Sequence, residues 1–134
     1  MNDIALDSER PHHLRALHGL QNQLLAVFDG SSEGVFIYLD REHKACSERL
    51  AAMFGYSPLQ WEELYPFERL FSEESRDAVM ATYYEKIIAE KAPAQVSFTG
   101  MRGDGSSFAA RLLMVPITYD GLLFALCFVR QGQE

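Results

Sequence analysis

From Pro11 to Phe28 the apolar residues Leu14, Leu17, Leu24, Leu25 and Phe28 recur at helical spacings, with Arg15, His18, Gln21 and Gln23 between them. This pattern predicts an amphipathic helix opened by Ser8 or Pro11 and stopped by the turn-forming Asp29-Gly30-Ser31-Ser32. The β-branched and aromatic run Gly34 to Asp40, a polar turn Arg41-Glu42-His43 and the short apolar pair Ala45-Cys46 then predict a hairpin. Ser47 is a preferred N-cap for a two-turn helix with Leu50, Met53 and Phe54 on one face, closed by Gly55. Ser57-Pro58 opens a second short helix through Leu59, Trp61 and Leu64 to Pro66. Ser72 caps a longer one, with Glu73, Glu74 and Asp77 at its start, Lys86 and Lys91 near its end, and Pro93 as the stop.

The remaining chain alternates as three strands, Ala94 to Thr99, Ser107 to Ile117 and Leu122 to Arg130, joined by turns at Asp104-Gly105 and Tyr119-Asp120-Gly121. In the first of these Gln95, Ser97 and Thr99 alternate with Val96 and Phe98, as expected of a strand with one wet face. In the last, both Leu122-Phe124-Leu126-Phe128 and Leu123-Ala125-Cys127-Val129 are apolar, so this strand is expected to be covered on both sides. If the short helices cover one face, the N-terminal helix or a second subunit must cover the other.

At 134 residues and 48% hydrophobic content the chain matches one domain with one ordinary core. The 12 basic and 19 acidic residues give a net charge of −7, without the basic footprint that DNA, RNA or anionic lipid requires, so no nucleic-acid or membrane partner is expected. Cys46 and Cys127 lie far apart in apolar stretches and read as reduced core thiols rather than a disulfide framework. Residues Met1 to Leu20 lack the apolar core of a signal peptide, and a cytoplasmic location is the expectation. The chain ends directly after the last strand, as expected of a fragment or of a module that works with a partner.

The order of elements, together with Ser32-Glu33-Gly34-Val35-Phe36, the helix end Phe54-Gly55-Tyr56-Ser57 followed by Pro58, and Arg102-Gly103-Asp104-Gly105-Ser106 between strands, resembles the PAS domain family from about Leu24 to Arg130. The resemblance implies an α+β fold: a five-stranded antiparallel sheet in order 2-1-5-4-3, with helices on one face and the N-terminal amphipathic helix outside. Residues 1–29 would then form a capping or dimerisation helix, and 30–134 the core. It also implies a noncatalytic sensor domain that holds a small ligand between sheet and helices, pairs as a homodimer, and regulates an effector such as a histidine kinase, diguanylate cyclase or transcription regulator. A pure interaction module with a filled core is the alternative, and a small α+β enzyme ranks last.

Haem-binding members of that family use a histidine on the longer helix, and Ser72 to Lys91 contains none, so haem is disfavoured. Flavin photoreceptor members of that family carry a cysteine in the stretch matching Tyr65 to Phe71, which has none here, so the resemblance disfavours cysteine-linked flavin and leaves the cofactor unknown, with a noncovalent small molecule still open. The expected apolar pocket is lined by Phe36, Met53, Phe54, Trp61, Met80, Tyr83, Tyr84, Phe98, Met114 and Phe124, with Trp61, Tyr83 and Tyr84 as polar handles. The expected dimer contact is Leu14, Leu17, Leu24, Leu25 and Phe28 with the outer face of the last strands. His12, His13 and His18 lack a companion cysteine, and adjacent histidines do not share a helix face, so no metal site is expected. Asp40, His43 and Ser47 could be drawn as a triad, but they occupy a turn and its flanks, and no catalytic residue is assigned.

Overall fold

In the computed structural model, which describes residues 2–64 and 66–132 with side chains from Pro11 onward, five strands form one antiparallel sheet in the order β2-β1-β5-β4-β3. The strands are β1 (Gly34–Asp40), β2 (His43–Cys46), β3 (Ala94–Met101), β4 (Ser107–Tyr119) and β5 (Leu122–Gln131). The β5 strand lies between β1 and β4, with Cys127 opposite both Phe36 and Met114. Its two apolar faces therefore face two separate cores.

On one face, Leu123, Ala125, Cys127 and Val129 of β5 pack beneath α3 (Glu48–Met53), α4 (Pro58–Glu62), a 3-10 turn (Phe67–Leu70) and α5 (Glu73–Thr82). On the other, Phe124 and Leu126 pack against Ala16, Leu17 and Leu20 of α1 (Asn2–Gln23) and Phe28 of α2 (Leu25–Gly30). Serines start the short helices as the sequence implies. Ser47 Oγ accepts from the Leu50 amide at 3.2 Å, Ser57 forms a reciprocal capping box with Gln60, and Ser72 Oγ accepts from the Ser75 amide at 3.3 Å. The α3 helix sits close on β1 because Gly34 has no side chain: a Cβ there would lie 2.8 Å from Leu50 Cδ1 and 3.1 Å from Leu50 Cα.

Three elements differ from the sequence expectation. The N-terminal helix does not begin at Pro11 but passes through it, and it breaks at Leu24, whose φ of −102° and ψ of 13° leave the helical region. The break re-aims the chain so that Leu17, Leu20 and Phe28 all reach the same sheet face. The longer helix also does not run uniformly to Pro93: α5 passes at Tyr83 into a π-helical segment, Tyr83–Glu90, ended by Lys91 in the left-handed region at φ 52°. The hairpin turn is shorter than expected, since β2 already begins at His43 and pairs it with Asp40 across a register shift.

The expected dimer residues divide accordingly. Leu17 and Phe28 are buried within their own domain, because α1 and α2 fold back on the sheet, and Leu24 packs partly buried beside them, so the first two offer no surface to a partner. Leu14 and Leu25 remain about half exposed. Among the described residues no helix is long and apolar enough to cross a membrane.

Candidate functional site

The layer between the sheet and helices α3 to α5 is built of aromatic rings in series. Phe54 meets Phe108, Phe108 meets Phe98, Phe98 meets Phe71 and Phe71 meets Phe67, with centroid separations of 5.0, 6.5, 5.2 and 5.3 Å. From Phe67 the series continues to Tyr38 at 4.7 Å, to Tyr83 at 5.2 Å and to Tyr84 at 5.2 Å. Phe36 and Trp61 join it at Phe67 and lie 5.2 Å from each other. Most pairs are edge-to-face, the arrangement that the ring quadrupole favours.

Strand alternation and helix periodicity decide which of the expected pocket residues meet here. Phe36, Phe54, Trp61, Tyr83, Phe98 and Met114 are buried in this layer, and Met53 and Met80 pack partly buried against it. Phe124 does not belong to it: the side chain is fully buried, but it points to the opposite face, among Leu17, Leu20 and Phe28. Successive strand residues point to opposite sides, so Phe124 and its neighbours Leu123 and Ala125 cannot share a core. Tyr84 is half exposed and borders an open groove of about 490 Å³ with Tyr38, Leu39, Asp40, Arg41, Glu42 and Tyr83.

The polar handles differ in how they are satisfied. The Tyr83 hydroxyl donates a long 3.5 Å contact to the Leu39 carbonyl, and burial, followed by the neighbouring Tyr84 and Cys127, pushes its pKa up to about 12. Burial likewise raises the Tyr38 phenol and the thiols of Cys46 and Cys127, both of which are free and buried. These groups are uncharged at neutral pH. Trp61, which is fully buried, has no partner for Nε1 among the described residues. A buried donor without an acceptor costs stability and marks a place where a ligand acceptor would be favourable.

Sequence reasoning missed Lys44, Tyr38 and Phe67. Lys44 lies opposite Tyr38 in the hairpin and is almost wholly buried, with Nζ donating to the carbonyls of Arg41, Glu62 and Leu64 at 3.0, 3.1 and 2.9 Å. Burial lowers its pKa, against the opposing pull of Glu62 and Asp40. Strand parity offered a signal, since residues opposite or two apart share a face. Phe67 carried none, because it sits in an irregular turn whose packing is nonlocal.

The Asp40, His43 and Ser47 arrangement is not a triad. Asp40 Oδ1 and His43 Nδ1 are 2.8 Å apart, but Ser47 Oγ is engaged by the amides of Val35 and Leu50 as a structural cap.

No family profile matches the sequence, and no curated protein sequence matches it. Among solved structures, the fold is similar to the PAS domain of a protein from Colwellia psychrerythraea, with TM-score 0.69 and 15% identity, covering 84% of this chain and 97% of that one. It is also similar to a PAS domain from a two-component sensor histidine kinase, with TM-score 0.66, 15% identity and coverage of 86% and 99%. A third similar structure is the PAS domain, in complex with ethanol, of a LuxR-family transcriptional regulator from Burkholderia thailandensis, with TM-score 0.62, 18% identity and coverage of 79% and 94%. The chain has the PAS fold, with the sheet order and helical layer that the sequence resemblance implied.

Proposed function

We propose that this chain is a noncatalytic sensory or signalling domain that holds a small organic molecule in the aromatic layer and regulates an effector. The observation that carries the ligand reading is the unpartnered Trp61 Nε1 inside that layer. An uncharged molecule with one acceptor for the indole N–H and an apolar body for the Phe36 and Phe67 side fits the chemistry of the walls. Similar folds in a histidine kinase and a LuxR-family regulator support effectors of those classes. A homodimer in the cytoplasm, seated on Leu14, Leu25 and the outer sheet surface at Leu113 and Phe128, completes the reading.

Mechanistically, a ligand that binds two packings of helices and sheet unequally shifts their populations, and the N-terminal helix on the opposite face reports the shift. The competing reading is an interaction module with a filled core, and the unbroken series of ring contacts favours it. Native mass spectrometry of protein purified from cells, beside a denatured control and an absorption spectrum, distinguishes them. A retained small molecule is expected. A clean dimer without added mass, which also takes up no acceptor-bearing aromatic probe, would leave the interaction module.

A further inference from the structure

Two adjacent histidines of α1 reach two different hairpin ends. His12 faces the β4–β5 turn, with Nε2 3.2 Å from the Asp120 carbonyl and Nδ1 3.6 Å from its carboxylate. His13 faces the β1–β2 turn, with Nδ1 3.9 Å from Asp40 Oδ2, while His43 Nδ1 lies 2.8 Å from Asp40 Oδ1. The rings of His13 and His43 stand edge to face with centroids 5.5 Å apart. One donor atom from each of His13, Asp40 and His43 lies within 4.8 Å of the other two.

The hydrogen bond between Asp40 and His43 accounts for two of these residues as a turn brace. It leaves His13 with only a ring contact to His43 and a long approach to Asp40, because 3.9 Å is too long for a hydrogen bond. We propose that His13, Asp40 and His43 form a binding site for a divalent transition metal of the zinc class, which fastens helix α1 to the β1–β2 hairpin.

Two imidazoles and a carboxylate are a donor set suited to such ions, and three protein ligands leave a coordination position open to water. Bonds of roughly 2.0–2.2 Å in tetrahedral geometry set donor atoms about 3.3 Å apart. His43 Nδ1 lies 2.8 Å from Asp40 Oδ1 and His13 Nδ1 3.9 Å from Oδ2, so an ion would replace the Asp40–His43 hydrogen bond, with a turn of the half-exposed carboxylate bringing His13 into reach. The amide of Glu42 donates to Asp40 Oδ1 at 2.9 Å and orients the carboxylate. His13 is one quarter exposed and His43 about one tenth, so the site is sheltered yet reachable. Because the ligands come from both α1 and the hairpin, metal binding adds directly to the docking of α1 on the sheet. This site is separate from the aromatic layer and stands whether or not that layer holds a ligand.

The test is calorimetric titration of the full, tag-free chain with Zn²⁺, with hydrogen exchange at Ala16 and Leu17 followed in parallel. Uptake of one ion per chain, slower exchange of these amides, and affinity at least about tenfold weaker in His13→Gln and Asp40→Asn are expected. His12→Gln retains wild-type affinity, because His12 belongs to the other turn. His43 is avoided as the main variant because it is buried and its loss could unfold the hairpin. Absence of stoichiometric uptake, uptake indifferent to His13→Gln and Asp40→Asn, or uptake lost in His12→Gln would overturn the assignment. Uptake without slower exchange would overturn the fastening of α1.

Discussion

Burial pushes the Glu62 carboxyl above its ordinary value of 4.5, although the Cys46 amide, His18 and Lys44 pull it back down. Between 4.5 and the raised folded value, the native chain keeps a proton that the unfolded chain releases. The contribution of this group is therefore fully present below 4.5 and lost as pH rises through the folded value. Glu62→Gln, which keeps the shape and does not titrate, is expected to gain stability relative to wild type toward neutral pH and to lose that advantage near 4.5. Urea unfolding midpoints of both proteins across this range check the sign, and a pH-independent difference would refute it. At this scale, the serine caps were readable in sequence. For Lys44 strand parity indicated the face, but not the three carbonyls that receive its ammonium, because they come from chain segments as distant as Leu64.

The π-helical segment shows what periodicity alone cannot resolve at the level of an element. Val79, Tyr83 and Ile87 are buried at a four-residue spacing, while Tyr84 and Ile88 are exposed, so one apolar stripe is shared between two faces. Before the transition, the Thr82 hydroxyl donates to the Ala78 carbonyl at 2.8 Å, a back-bond that bends helices. At its end, the amides of Lys91 and Ala92 both reach the Lys86 carbonyl, and Lys91 takes a left-handed conformation that glycine adopts without strain. Lys91→Gly is expected to stabilise the protein by about 0.5–1 kcal/mol, read as a higher urea midpoint at unchanged slope. A lower midpoint would mean that the lysine side chain contributes more than the backbone strain costs. The sequence placed the start of this helix at Ser72 correctly because capping is local. It did not resolve the change of winding, because that follows from where the sheet sits beneath Tyr83 and Ile87.

For the whole molecule, the covering of both sheet faces decides what remains for assembly. Leu17, Leu20 and Phe28 are consumed in packing the N-terminal helices on Phe124 and Leu126, which leaves Leu14 and Leu25 as the exposed leucines of those helices among the described residues. The proposed dimer therefore predicts that Leu14→Glu combined with Leu25→Glu sediments as a monomer at micromolar concentration, where wild type sediments as a dimer. Because both positions are solvent-facing, the melting temperature should stay within about 3 °C of wild type. A monomeric wild type, or a dimer that survives the double substitution, would rule out this interface.

Local chemistry along the chain determined the order of helices and strands, the serine caps and the two apolar faces of β5, since each depends on residues within a few positions, while the central place of β5 in the sheet came only with the family resemblance. Only the tertiary structure decided that the N-terminal helix covers its own sheet and that Phe124 belongs to that second core. It alone brought His13 from a helix to a hairpin more than 25 residues away. Periodicity states that a side chain is to be buried, whereas the partner that buries it is fixed by chain reversal and packing between distant segments.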